Sequence, residues 1–341
     1  MTAMKMRLAA AALGAFGLLV ATGCTSQVAL ASGAQPATAQ PATAQSATAQ
    51  PAATSPSASH PCGTQSKPGT YKHVIWIWME NKSASTIIGS SQAPYLNKTL
   101  VHDCGLATNY HNVTHPSLPN YIAATSGLSL SAVHGFLPDC SPGGSCRTSA
   151  RSIFGQGETW KSYEESMPSA CDHSNSGNYA VRHNPAVYYT TLHGCSSDDV
   201  SYSHLATELA HNQLPAFSFS TPNLIDDSHN GTVADADKWL SHNLPAILNS
   251  SEYKNGSTVI FITWDEGEGG HYAVGEGCAT NTSDISCHIA AVVLSPSTKA
   301  GTRSGTLFNH YSLLGTAEQL LRLSKLGLAA SATTMTKAFN L

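Results

Sequence analysis

The chain has 341 residues, a formal net charge of −4, and charged side chains at only 11% of its positions. With no Lys/Arg cluster, this composition excludes a nucleic-acid footprint and strong affinity for long polyanions. Residues 62–341 are near the upper size at which one hydrophobic core is typical, so one large domain is predicted there.

At the amino end, Lys5 and Arg7 precede the apolar run Leu8 to Val20 and then small residues up to Cys24, the pattern of a signal peptide over residues 1–24. Gly23-Cys24 after small residues also resembles a lipoprotein cleavage site, which would leave a lipid on Cys24. Ala21 is a less usual choice than Leu at its position, so plain secretion stays open beside lipid anchoring. Residues 25–61 follow, with an Ala/Thr/Gln/Pro repeat that has too little apolar bulk to pack, and are expected to form a disordered linker.

The first strong structural signal is His73 to Met79, an apolar run leading into Glu80-Asn81. A second such run, Thr258 to Trp264, leads into Asp265-Glu266. Both read as strands buried on two faces of a mainly parallel sheet. Ligands in such sheets bind beyond the carboxyl ends of the strands, so Glu80, Asn81, Asp265 and Glu266 should converge on one crevice. Ala216 to Ser220 is a third strand, leading to Asp226-Asp227-Ser228-His229. A fourth, Ile289 to Leu294, precedes Asn309-His310 and is expected to bring them to the same edge. The fold class expected is therefore α/β, a doubly wound and mainly parallel sheet with helices on both faces.

Between the first two strands lies Thr114-His115-Pro116-Ser117-Leu118-Pro119-Asn120-Tyr121, followed by Ser126-Gly127 and His134-Gly135. Pro119 fits a first helical turn, and Leu118, Ile122 and Ala123 fit a helix with one buried face. A hydroxyl at Ser117 would feel the positive helix end among backbone N–H groups able to hold a phosphate. Taken alone, Ser117 is an ordinary Ser in a helix cap. The acidic strand ends around it favour a nucleophile.

Residues 136–212 are rich in Gly, Ser, His, Asn and Cys and have little periodicity, so a cap-like insertion over the strand ends is expected, with Glu158 to Tyr163 a short helix or strand. His310 to Leu323 spaces its leucines as a packed helix with His310 at its start. Most histidines, including His102, His173, His183, His211 and His242, read as surface or structural groups.

Nine cysteines less Cys24 leave eight, an even set that suits disulfides in an oxidising compartment. Of the 105 pairings open to eight cysteines, spacing favours Cys140/Cys146 and Cys278/Cys287 as local staples. Cys171/Cys195 then closes the excursion between them, and Cys62/Cys104 completes the set. No C-x-x-C pair supports a zinc site instead.

Glu80-Asn81-Lys82-Ser83, Thr114 to Tyr121, Trp264-Asp265-Glu266-Gly267 and Asn309-His310-Tyr311-Ser312, in this order, resemble the bacterial phosphoesterase family of secreted acid phosphatases and phospholipases C, within the alkaline phosphatase superfamily. The resemblance spans about residues 70–325, and Ser117-Leu118-Pro119-Asn120 also resembles the nucleophile segment of nucleotide pyrophosphatases. It implies a phosphomonoesterase that works through a phosphoserine at Ser117. Glu80, Asn81, Ser117, Asp265 and Glu266 would be metal ligands, and Asn120 a donor to the phosphoryl oxygens. Asp227, His229 or His310 would move protons, and His115 would either touch phosphate or hold the Ser117 turn. Two-zinc relatives carry Asp-His where Asp265-Glu266 stands, so oxygen-only ligands favour Ca²⁺, Mg²⁺ or Mn²⁺, with Zn²⁺ an alternative through His229 or His310.

The loop Lys82-Ser83-Ala84 departs from the Arg-Ser-Phe-Asp pattern of the phospholipases and favours the small acid phosphatases, some of which act on phosphoinositides. A phospholipase C-type diesterase and a non-catalytic binding module are the rival readings. The expected partners are a phosphate monoester, with a phospholipid head group as one candidate, and no nucleic acid. A secreted or extracytoplasmic monomer is expected, held to a membrane only if Cys24 carries a lipid.

Overall fold

The computed structural model describes residues 55–341 apart from Tyr272. The expected signal peptide, Cys24 and most of the linker lie outside these residues. The last part of the expected linker is folded onto the domain. A Ser57–His60 bridge forms there, and His60 lies 3.4 Å from Asp103.

Nine strands form one sheet: β1 (His73–Met79), β2 (Gly105–His111), β3 (Trp160–Glu164), β4 (Asp199–Ser201), β5 (Phe217–Thr221), β6 (Thr258–Trp264), β7 (His288–Leu294), β8 (Arg303–Ser304) and β9 (Phe308–Asn309). Their order is β4-β3-β5-β1-β6-β7-β2-β8, with β9 also beside β2. All pairs are parallel except β6/β7 and β7/β2. The mainly parallel α/β sheet expected from the apolar runs is therefore present. β1 and β6, its centre, are buried almost end to end, which is why their sequences run apolar without alternation.

The route to Asn309-His310 differs from the expected one. Because β7 runs antiparallel, its carboxyl end points away from the edge that carries Glu80 and Asp265. The chain instead returns through β9, parallel to β2, with His111 paired to Asn309. Asn309 then caps the helix His310–Leu320, its Oδ1 accepting from Tyr311 N at 3.0 Å and Ser312 N at 3.2 Å.

Two further differences concern the insertion. Residues 160–164 and 199–201 are β3 and β4, so part of the 136–212 region extends the central sheet instead of capping it. The remainder covers the helix Ser117–Ser126, every residue of which is buried, where one buried face was expected. Thr125 Oγ1 lies 2.6 Å from Tyr189 OH, and Tyr121 stacks on His183. Gly127, at φ +70°, ends this helix; a Cβ there would sit 2.3 Å from Leu326 O.

The four disulfides are Cys62–Cys104, Cys140–Cys146, Cys171–Cys195 and Cys278–Cys287, the pairing expected from spacing. Among the described residues, no helix is long and apolar enough to cross a membrane.

Candidate active site

The carboxyl ends of β1 and β6 lie side by side, with Met79 paired to Trp264, so Glu80 and Asp265 leave the sheet next to each other. Asp265 N donates to Met79 O at 3.0 Å. Asn81 adopts φ +52°, which Asn tolerates better than most residues, and its backbone N–H donates to Asp265 Oδ1 at 3.0 Å. The loop after β5 closes on the same point: Glu80 N donates to Asp227 O, and Ser228 Oγ donates to Glu80 O, both at 2.8 Å.

Ser117 begins its helix directly against this group, its Oγ donating to Glu80 Oε2 at 3.2 Å. One turn on, Tyr121 OH donates to Glu80 Oε1 at 2.5 Å. The expected convergence of Ser117 with Glu80 and Asp265 is thus met by long-range packing of four separate segments. Glu80, Asp227, Asp265 and Glu266 are all buried. Burial and then the charge of neighbouring carboxylates push Glu80 and Glu266 well above the ordinary range, and burial alone is the main cause for Asp227. Asp265 is pushed up to about 6, again by burial.

Clustered buried carboxylates repel, and such a group is relieved by protons or by a cation. Asp265 Oδ2 has no hydrogen-bond partner among the described residues. The donor set of carboxylate oxygens and a serine hydroxyl fits a hard divalent cation. Nitrogen donors are also at hand, because ligand atoms of Glu80, His183 and His229 lie within 4.8 Å of one another.

His183, read from sequence as surface or structural, is buried between two site acids. Its Nε2 is 3.1 Å from Glu80 Oε1 and its Nδ1 is 3.2 Å from Asp227 Oδ2. Burial, followed by the charges of Arg182 and His229, holds it well below its ordinary pKa and keeps the ring neutral. No local pattern marked it, since its partners lie far away in sequence.

Other assignments change in role. The Asn120 side chain is engaged by backbone: Oδ1 accepts from Val113 N at 2.9 Å and Thr114 N at 3.0 Å, while Nδ2 donates to Thr114 O and Pro116 O. It braces the turn before Ser117 instead of offering free donors to a phosphoryl group. His115 Nδ1 lies 3.1 Å from Glu266 Oε2, which ties the same turn to the β6 loop. His310 is buried with both ring nitrogens engaged, Nδ1 by Tyr110 OH at 3.1 Å and Nε2 by Asp265 O at 2.8 Å. Its ring lies tilted against Trp78 with centroids 4.6 Å apart, and burial lowers its pKa to about 4, which places it in the floor of the site. His229 stays at the site, its backbone N donating to Asp227 Oδ1 at 2.7 Å.

A serine hydroxyl at a helix start, set against clustered carboxylates at the carboxyl edge of a mainly parallel sheet, gives an α/β fold like that of the alkaline phosphatase superfamily. The chain belongs to the phosphoesterase family, whose model matches residues 89–324. It is similar to a phosphatidylinositol-3-phosphatase of Mycobacterium tuberculosis, with 29% identity over 78% of this chain and 82% of that protein. An acid phosphatase of Aspergillus fumigatus is 26% identical over 74% of this chain but only 55% of its own length, so the chain spans about half of that fungal relative. In fold it resembles the crystal structure of a protein in the alkaline phosphatase superfamily from Vibrio parahaemolyticus, with a TM-score of 0.50, 14% identity, and coverage of 84% of this chain and 74% of that one.

Proposed function

We propose that this protein is an extracytoplasmic phosphomonoesterase of the acid phosphatase type, acting through a phosphoserine at Ser117. The observation that carries the reading is the Ser117 Oγ contact with Glu80 within the buried carboxylate group. The phosphatase names of the relatives support the reaction class, and the four disulfides support an oxidising compartment.

Glu80, Asn81, Asp265 and Glu266, with Ser117, are the groups we assign to a divalent cation; Ca²⁺, Mg²⁺ or Mn²⁺ suits the oxygens, and His183 with His229 suits a softer ion. Such an ion, when bound, lowers the serine pKa and neutralises charge on the phosphoryl oxygens. Ser117 Oγ attacks phosphorus, the bond from phosphorus to the ester oxygen breaks, and the serine proton leaves toward Glu80. Asp227, held by the His229 backbone N–H, gives a proton to the departing alkoxide and later takes one from the water that hydrolyses the phosphoserine. The water oxygen bonds to phosphorus as the bond from phosphorus to Ser117 Oγ breaks, Glu80 returns its proton to the serine, and inorganic phosphate leaves.

The test is turnover of p-nitrophenyl phosphate and bis(p-nitrophenyl) phosphate by the full chain, with acid quenching to trap label on Ser117. Faster hydrolysis of the monoester and a labelled Ser117 are expected. Preference for the diester would move the assignment to a phospholipase C-type reaction. Inactivity on both, with metal bound, would favour a binding module.

A further inference from the structure

We propose that Arg182 clamps the phosphoryl group, its guanidinium binding non-bridging oxygens of the phosphate monoester that Ser117 attacks. This deepens the phosphomonoesterase reading and rests on it.

Arg182 sits in a turn that the fold holds on both sides. Val181 and His183 are buried, Val181 N donates to Asn175 Oδ1 at 2.9 Å, and Thr221 Oγ1 donates to His183 O at 3.2 Å. From this turn the guanidinium reaches His229 Nε2 at 2.9 Å on one side and lies 3.8 Å from Asp139 Oδ2 on the other. Asp139 in turn accepts from Leu118 N at 2.9 Å. Arg182 therefore spans the distance from His229 to the first turn of the Ser117 helix, and its side chain remains 21% exposed.

Two observations make phosphate the fitting occupant. The Leu118 N–H, the helix-end donor next to the nucleophile, already holds the Asp139 carboxylate, so a phosphoryl oxygen arriving at Ser117 needs a donor from elsewhere. Arg182 has five N–H donors in a planar fork, and its only hydrogen bond among the described residues is to His229. Beside the divalent ion assigned above, a dianion next to four buried acids calls for positive charge from a side chain. Lys82 is engaged by Glu268 Oε2 at 3.2 Å and Asn81 O at 3.1 Å. The charge of Arg182, by contrast, is felt by Asp139, His183, Asp227, His229 and Glu266 alike.

The experiment compares the wild-type full chain with Arg182→Ala and Arg182→Lys. It measures calorimetric binding of inorganic phosphate, kcat/KM on the matched mono- and diester, bound metal and Tm. With bound metal and Tm held, Arg182→Ala should weaken phosphate binding by about 10- to 100-fold, the range for losing a charge-assisted hydrogen bond. Monoester kcat/KM should fall further than diester kcat/KM, and Lys should restore only part, because it lacks the fork. If Arg182→Ala does not fold, the Lys variant carries the comparison. Unchanged phosphate affinity, or equal losses on both esters, would show that Arg182 only props His229 and Asp139 and overturn the clamp. A wild type that binds phosphate but turns over neither ester would instead overturn the phosphomonoesterase reading.

Discussion

Two groups of buried acids lie in this sheet, and they are built differently. At the ends of β1 and β6 and in the loop after β5 are Glu80, Asp227, Asp265 and Glu266, beside the Ser117 hydroxyl and with Asp265 Oδ2 lacking a hydrogen bond among the described residues. In the outer strands β3 and β4 are Glu164 and Asp199, also buried, with donors on hand. Ser162 Oγ gives Glu164 a bond of 2.6 Å, and Asn184 Nδ2 lies 3.0 and 2.9 Å from the two oxygens of Asp199. Burial pushes Asp199 up to about 7 and Glu164 well above its usual range, so the outer pair is relieved by a proton. Buried carboxylates alone do not make a metal centre. An oxygen unpartnered among the described residues, the Ser117 hydroxyl and nearby imidazoles separate the inner group from the outer one.

The sharpest way to break this contrast is Ser117→Ala, which should lower kcat by about 10³-fold or more while leaving Tm nearly unchanged, since the hydroxyl adds little packing. Retention of near wild-type turnover would reduce Ser117 to a helix cap. Next in size, Asp265→Asn should lower bound metal and kcat/KM together, the latter by about 100-fold, as read by elemental analysis and steady-state kinetics. Full activity in the wild type after exhaustive chelation, with metal shown to be gone, would defeat the metal reading of the inner acids.

The outer pair offers the smallest effect. Asp199 has a folded pKa raised from 3.8 to about 7, so between these values the folded state holds a proton that the unfolded chain has lost. Its contribution to stability is therefore present at low pH and declines as pH rises toward about 7. Asp199→Asn should flatten that decline, raising Tm relative to wild type by about 5 °C or more at pH 8 beyond the gain at pH 5, since two pH units of linkage are about 2.7 kcal/mol and about 1 kcal/mol corresponds to roughly 2–4 °C. Parallel Tm–pH curves for the two proteins would refute the proton-sharing account, and phosphatase activity at pH 5 should be unaffected.

How far the sequence could be read depended on whether a signal was local. β1 and β6 declared themselves through long apolar runs, and the acids that follow them were found with them. β2 went unseen because Thr108 and Asn109 interrupt its apolar pattern, where a register shift lies between Ala107 and Tyr110. The direction of β7 was equally hidden, since a buried strand has the same composition in either orientation. In the site, Ser117 was legible from the prolines around it. His183, Tyr121 and Arg182 were not, because their roles come from contacts with Glu80, Asp227 and His229 that only the folded chain creates. Asn120 and His310 were legible as candidates, but not their partners, which are mainly backbone for Asn120 and Tyr110 OH and the Asp265 carbonyl for His310.

The Cys62–Cys104 bond has a directional consequence. Cys104 immediately precedes β2, which runs parallel to β1 and β6, so this bond and the nearby His60–Asp103 contact lie at the amino ends of these strands. The candidate site lies at the carboxyl ends. Load applied through the segment before Cys62 would enter the far rim of the sheet by a covalent link, without crossing the Ser117 turn. A support that gripped the protein there would face its back, and the edge with Glu80 and Ser117 would open outward to whatever diffuses past.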